Sequence, residues 1–212
     1  MRITERAQRI EPFYVMEVAK AARSLGDTLS KEEHPMLYLN VGEPDFTAPP
    51  LVQAAAKAAI DAGKTQYTQA SGIIELRERI SQWYSTRFSV NVPANRIVLT
   101  AGASAALQLA CLALIETGDE ILMPDPSYPC NRQFVSAAEG TPVLVPCTAA
   151  ERYQLSSSKV EAAWKNGVTR GVLLASPSNP TGTSIHPDEM RRIHTLVSRR
   201  GGITLVDEIY LG

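Results

Sequence analysis

Gly171-Val172-Leu173-Leu174-Ala175-Ser176-Pro177-Ser178-Asn179-Pro180-Thr181-Gly182-Thr183 is an apolar run that ends in a loop crowded with Ser, Pro, Asn and Gly. The apolar part reads as a strand of a parallel sheet, and the polar part as the loop delivered to its carboxyl edge. Pro177 and Pro180 fix φ on both sides of Ser178-Asn179, so the Asn179 amide is aimed with little freedom left to lose. A simple turn is the alternative. Three other strands of the sequence end in equally specialised polar loops, which favours the first reading.

Working outward, a helix is expected over residues 187–200, with Asp188 and Glu189 in its first turn and Arg199 and Arg200 in its last, each matched to the helix dipole. Gly201-Gly202 stop it, and residues 203–206 form the next strand. Toward the amino terminus the pattern alternates: strands at 97–100, 120–123 and 142–145, and helices at 103–115, 131–138 and 156–164. Strands separated by helical segments mean βαβ crossovers. The fold class is therefore α/β, a mainly parallel sheet with helices on both faces. Before it, residues 13–25 suit a helix ending at Gly26, and residues 37–41 alternate like a short strand. Thr47 is a plausible N-cap for an Ala-rich helix that starts near Pro49 and Pro50 and stops at Gly63. A loop at 65–72 leads into a further helix with Leu76, Ile80, Trp83 and Tyr84 on one face.

Of the 212 residues, 44% are hydrophobic and 20% charged, with a formal net charge of -1. Such a chain can build a sizeable core. Near-neutrality supplies no electrostatic reason to expect nucleic acid or a membrane surface as partner. No apolar run approaches the roughly 20 residues that span a bilayer, and the charged stretch at 1–12 has no secretory h-region. Cys111, Cys130 and Cys147 are odd in number and widely spaced, so they read as reduced thiols of a cytoplasmic protein.

Ligands of open α/β sheets bind beyond the carboxyl ends of the strands. Those ends are Ala101-Gly102-Ala103-Ser104, Asp125-Pro126-Ser127-Tyr128, Ser176 to Asn179, and Asp207-Glu208-Ile209-Tyr210. Together they offer amide donors at a helix start, an aromatic face, a clamped Asn, a carboxylate and a phenol. The first is a small-residue strand-to-helix turn suited to an anion such as phosphate. It is neither the dinucleotide fingerprint, since Gly102 is its only glycine, nor a nucleophile elbow around Ser104. Gly63-Lys64-Thr65 mimics the end of a P-loop, but Ala58 stands at its first glycine position and a helix precedes it. His34, His186 and His194 have no ligand spacing, so no metal site is expected and each reads as a surface or capping residue.

Asn179-Pro180-Thr181-Gly182 followed by Asp207-Glu208-Ile209-Tyr210, with Asp125-Pro126-Ser127-Tyr128 upstream, resembles the fold-type I pyridoxal-phosphate enzymes, and most closely the class I/II aminotransferases. The segment Asn40-Val41-Gly42-Glu43-Pro44-Asp45-Phe46, Tyr67 before Gly72, and Gly102-Ala103-Ser104 before Ala106-Leu107 extend the likeness over nearly the whole chain from about Leu37. The resemblance implies an incomplete large domain at 47–212, preceded by an arm and part of the small domain at 1–46. It implies that Gly102, Ala103 and Ser104 hold the phosphate of pyridoxal 5'-phosphate, that Tyr128 stacks on its ring, and that Asn179 and Tyr210 bond its phenolic oxygen. Asp207 would pair with the ring nitrogen and favour its protonated form, which is the electron sink for loss of the substrate α-proton. Gly42 would lie near the substrate carboxylate. Tyr67 would reach the phosphate of a partner subunit, implying a homodimer. The plainer alternatives are a packing aromatic at Tyr128, a helix N-cap at Asp207 and an ordinary surface turn at Tyr67.

Such chemistry needs a Schiff-base lysine. Lys20, Lys31, Lys57, Lys64, Lys159 and Lys165 all fall outside the strand-end loops. In the resembled family the lysine follows the Asp-x-x-Tyr segment, so it is expected beyond Gly212, as is an arginine for the substrate carboxylate. The chain then reads as the amino-terminal part of an aminotransferase that moves an amino group between an α-amino acid and a 2-oxo acid, inactive by itself. Strands beyond Gly212 would insert beside residues 97–100, which here would lack a direct partner and leave the chain marginal or prone to aggregate. A pyridoxal-phosphate lyase of the carbon–sulfur type is the alternative chemistry on the same fold. A ligand-sensing regulator domain fits poorly, because the roughly 36 residues before Leu37 are too few for a DNA-binding domain and lack a basic recognition helix.

Overall fold

The computed structural model describes residues 2–29 and 35–211; Lys31, His34 and Gly212 lie outside the described residues. In chain order the helices are α1 (Glu5–Gln8), α2 (Tyr14–Gly26), α3 (Pro50–Asp61), α4 (Ile74–Phe88), α5 (Ala103–Leu114), α6 (Pro129–Ala137), α7 (Ser157–Ala163) and α8 (Pro187–Arg199). The strands are β1 (Glu120–Asp125), β2 (Thr141–Pro146), β3 (Thr169–Ala175) and β4 (Ile203–Asp207). Two compact units result: residues 1–12 together with 101–212, and residues 13–100.

The first unit carries one sheet in the order β2-β1-β3-β4, with every pairing parallel. Alternation along the central strands decides which side chain faces which helix layer. Leu122 of β1 and Val172 and Leu174 of β3 join Leu155, Val160, Ile193 and Val197 on the α7–α8 face. Ile121, Met123 and Leu173 point the other way, against Cys111, Ile115 and Val135 of the α5–α6 layer. Both faces of β1 and β3 are thus sealed, as their continuous apolar runs require. Gly171 permits the close β3–β4 approach: a Cβ there would stand 2.2 Å from the Ile203 carbonyl oxygen.

In the second unit, helices α2, α3 and α4 form as expected, but residues 37–41 make no strand. Leu37 and Leu39 are largely exposed, and an alternating pattern without a neighbouring strand has no ladder to join. The expected strand at 97–100 is also absent. Ile97 is extended at φ -104° and ψ 128°, and the Leu99 amide donates to the Ser71 carbonyl at 3.1 Å, yet no ladder forms. The sheet therefore has four strands where sequence reasoning expected five. Thr47 does not cap α3: the N-cap is Pro49, with Pro50 opening the first turn.

Candidate active site at the carboxyl edge of the sheet

Parallel pairing brings the carboxyl ends of the strands to one edge. Ala175 of β3 is in register with Asp207 of β4, and the Ser176 amide beyond the strand donates to the Asp207 carbonyl at 3.0 Å. The loops after β1, β3 and β4 therefore leave from the same side. Cis peptides precede Pro126, Pro177 and Pro180 in two of them.

The loop after β4 is turned by its own carboxylate. Asp207 Oδ1 accepts from the Ile209 amide at 3.1 Å, an Asx-type bond that reverses the chain and presents Tyr210. The Asn179 Nδ2 then donates to the Tyr210 hydroxyl at 3.4 Å, a long contact linking the loops after β3 and β4. Tyr128, the N-cap of α6 after β1, completes the cluster. A hydrogen bond with the Cys130 thiol, partial burial, and electrostatic repulsion from the neighbouring Cys130, Tyr210 and Asp207 groups push its phenol up to about 12. It therefore stays neutral throughout the physiological range. Tyr128, Asn179, Asp207 and Tyr210, far apart along the chain, thus gather at one edge. The Asp207 carboxylate closes the turn that follows β4, and no helix starts there among the described residues, so it is not a helix N-cap.

Gly102 starts α5 at φ 85°, a conformation that strains any L side chain, and a Cβ there would meet nothing within 4 Å. Having no side chain, it leaves the first-turn amides of Ala103 and Ser104 without a capping acceptor from its own residue. A helix start of this kind suits an anion. Gly42 and Tyr67 belong to the other unit, where both are exposed, Tyr67 fully so.

Of the lysines in the sheet unit, Lys159 pairs with Glu151 at 2.8 Å and donates to the Pro146 carbonyl on the outer strand β2, and Lys165 pairs with Glu120 at 2.8 Å. Neither serves the β4 end. His186 caps α8 by accepting from the Asp188 amide at 3.3 Å, and His194 is exposed beside Thr204 and Ser198, as a capping and a surface residue. Two participants had no clear sequence signal. Cys130 matters only because the first turn of α6 folds it back on Tyr128, and Gln154 because a distant loop closes over it.

A parallel sheet sealed on both faces, with polar loops converging at its carboxyl edge, defines an α/β protein whose candidate site lies at the strand ends. The edge gathers the Asp207 carboxylate, the Tyr128 and Tyr210 phenols and the Asn179 amide, a set able to bond a heterocycle that bears a basic nitrogen and an oxygen. Residues 34–212 match the family model described as aminotransferase class I and II. Valine–pyruvate aminotransferase of Mycobacterium tuberculosis is 37% identical over 207 residues, covering 96% of this chain and 51% of that protein. Aspartate aminotransferase of Rhizobium meliloti is 34% identical over 206 residues, covering 96% of this chain and 50% of that protein. Among solved structures, an aminotransferase from Mycobacterium tuberculosis superposes with a TM-score of 0.89 at 36% identity, over 99% of this chain and 52% of that one. Aspartate aminotransferase from Thermus thermophilus with maleate does so at 0.90 and 28% identity, over 99% and 54%. The chain belongs to the class I and II aminotransferase family, and it spans about half the length of the relatives it matches.

Proposed function

We propose that the protein carrying these residues is a pyridoxal-phosphate-dependent aminotransferase that moves an amino group between an α-amino acid and a 2-oxo acid. The observation that carries this is the gathering of Tyr128, Asn179, Asp207 and Tyr210 at one sheet edge, tied by the Asn179–Tyr210 bond, with Tyr128 near enough to Asp207 and Tyr210 to have its phenol raised by them. The relatives named above are aminotransferases and lend no support to the carbon–sulfur lyase alternative. When bound, the cofactor supplies an electron sink for removal of the substrate α-proton.

Each residue then has a defined task. Asp207 holds a proton on the ring nitrogen by Coulomb attraction and a charge-assisted bond. Asn179 donates its amide, and Tyr210 its hydroxyl, to the phenolic oxygen. Tyr128 lays a neutral aromatic face on the ring. Gly102 leaves room for the phosphate, and the Ala103 and Ser104 amides bind it with the positive end of α5 behind them. Gly42 permits close approach of the substrate carboxylate, and Tyr67 reaches the phosphate site of a second subunit in a homodimer. In the same proposal residues 1–46 form an arm with part of a small domain, and residues 47–212 belong to the cofactor-binding large domain. Its three free cysteines suit a cytoplasmic protein.

Binding of deoxypyridoxine phosphate, which has the ring and phosphate but no aldehyde, tests the site. Asp207→Ala is expected to weaken it about ten- to hundred-fold, the worth of one charge-assisted hydrogen bond. Unchanged affinity would remove Asp207 from the site. Amino-group exchange between an amino acid and a 2-oxo acid, against release of pyruvate from a sulfur amino acid, separates transaminase from lyase.

A further inference from the structure

Between a 3-10 turn at Ala149–Glu151 and α7, the backbone passes through two consecutive left-handed residues, Arg152 at φ 56° and Tyr153 at φ 55°. Neither is a glycine, so the surroundings must hold this conformation in place. The detour buries Gln154, only 6% exposed, against the loop that follows β3. Its Nε2 donates to the Ala175 carbonyl at 3.3 Å and to the Thr183 carbonyl at 2.8 Å, and lies 3.3 Å from the Thr183 hydroxyl. That hydroxyl donates to the Arg152 carbonyl at 2.7 Å. The Thr183 carbonyl also accepts from the Ser178 amide at 2.9 Å, and the Gly182 amide donates to the Ser178 carbonyl at 2.7 Å.

One buried carboxamide thus fastens the exit of β3 to the far end of the loop that carries Asn179. We infer that Gln154 is a positioning residue for Asn179: it closes the 176–183 loop at its base and so sets where the Asn179 amide points. Its functional consequence rests on the cofactor reading of Asn179 given above. The donor character of the side chain is what matters, because all three of its partners are oxygens.

Amide hydrogen exchange and deoxypyridoxine phosphate binding, measured on Gln154→Ala, Asn179→Ala and the double variant, test this. In Gln154→Ala, exchange at Ser178 and Gly182 should rise about ten-fold or more, with Leu122 and Leu173 within about two-fold of the parent. Analogue binding should weaken about as much as in Asn179→Ala, and the double variant should bind no more weakly than Asn179→Ala alone. Unchanged exchange at Ser178 and Gly182, an equal rise at Leu122 and Leu173, or additive losses would overturn the assignment. Gln154→Glu keeps the volume but presents a carboxylate to three oxygens, so its loop exchange should be fast relative to the parent at neutral pH, and the ratio to the parent at the same pH should return toward one where the introduced carboxyl is protonated and can donate. A Gln154→Glu-to-parent exchange ratio that does not change with pH would overturn the donor role. Should Asn179→Ala leave analogue affinity unchanged, the cofactor reading fails, and loop exchange still decides the role of Gln154.

Discussion

Helices α3 and α8 are of similar length, 12 and 13 residues, and each carries apolar residues at helical spacing. Helix α8 fully buries Ile193 and Val197 against the sheet, whereas α3 buries nothing and leaves Leu51 86% and Ile60 65% exposed. The contrast extends to their units. Every buried hydrophobic residue described lies in residues 101–212, and among the described residues of 13–100 the one buried side chain is Arg77, held by the Ala94 carbonyl at 3.3 Å and Gln69 Oε1 at 3.1 Å. An apolar stripe is a driving force only where a complementary face receives it. The alternating strands β1 and β3 supply such faces on both sides, and nothing among the described residues of 13–100 does so for α3.

The strongest test of that contrast is core truncation. Leu173→Ala should cost about 3 kcal/mol through lost transfer energy and a residual cavity, and Leu51→Ala should stay within about 0.5 kcal/mol. Urea unfolding reports both: Trp164 fluorescence in a Trp83→Phe background follows the sheet unit, and Trp83 in a Trp164→Phe background follows the other. Equal losses would show that α3 is buried in solution.

Next in size is backbone crowding. Gly171→Ala should cost about 2 kcal/mol, because the new methyl meets the Ile203 carbonyl and the strands must part. Gly42→Ala, whose Cβ would meet nothing within 4 Å, should be near neutral in the same denaturation assay.

A smaller effect is acid sensitivity at the start of α7. Glu151 accepts from Lys159 Nζ and from the Thr148 amide and hydroxyl, which hold its carboxyl down at about 2 from an ordinary 4.5, the Lys159 bond contributing most. A carboxyl depressed on folding contributes stability that is complete above pH 4.5 and is lost as pH falls through about 2. Melting temperature against pH should therefore fall less steeply between those limits in Glu151→Gln than in the parent. Equal slopes would mean that the pair is not made in solution.

The smallest effect is in thiol chemistry. Cys111 is fully buried, which pushes its thiol up to about 11, and Cys147 is shifted upward for the same reason. Cys130 is half-buried beside Tyr128. A disulfide reagent at neutral pH should modify Cys130 first, and Cys111 only on unfolding. Cys130→Ala should also bring the Tyr128 phenol down from about 12, read by ultraviolet titration.

Much of the site was legible because its signals are local. Pro177, Asn179 and Pro180 mark their loop by residue type, and Asp207 announces a turn by closing one on Ile209. Gly102 is demanded by its φ of 85° at the start of α5. What was not legible depends on pairing at a distance. Residues 37–41 and 97–100 have strand-like patterns, but a strand exists only with a neighbour, and neither segment has one among the described residues. Gln154 has no local mark, since its three acceptors lie 21 to 29 residues further along the chain.

The loop motifs carried the resemblance to a family, and by itself the order of apolar runs and turn residues determined a parallel α/β sheet covered on both faces and the residue types at its carboxyl edge. Those features follow from side-chain periodicity and backbone sterics, which act over a few residues. Tertiary structure alone decided which apolar stripes are buried and that Gln154 closes the Asn179 loop. Each of these depends on contacts between segments far apart along the chain, so no short window of sequence contains them.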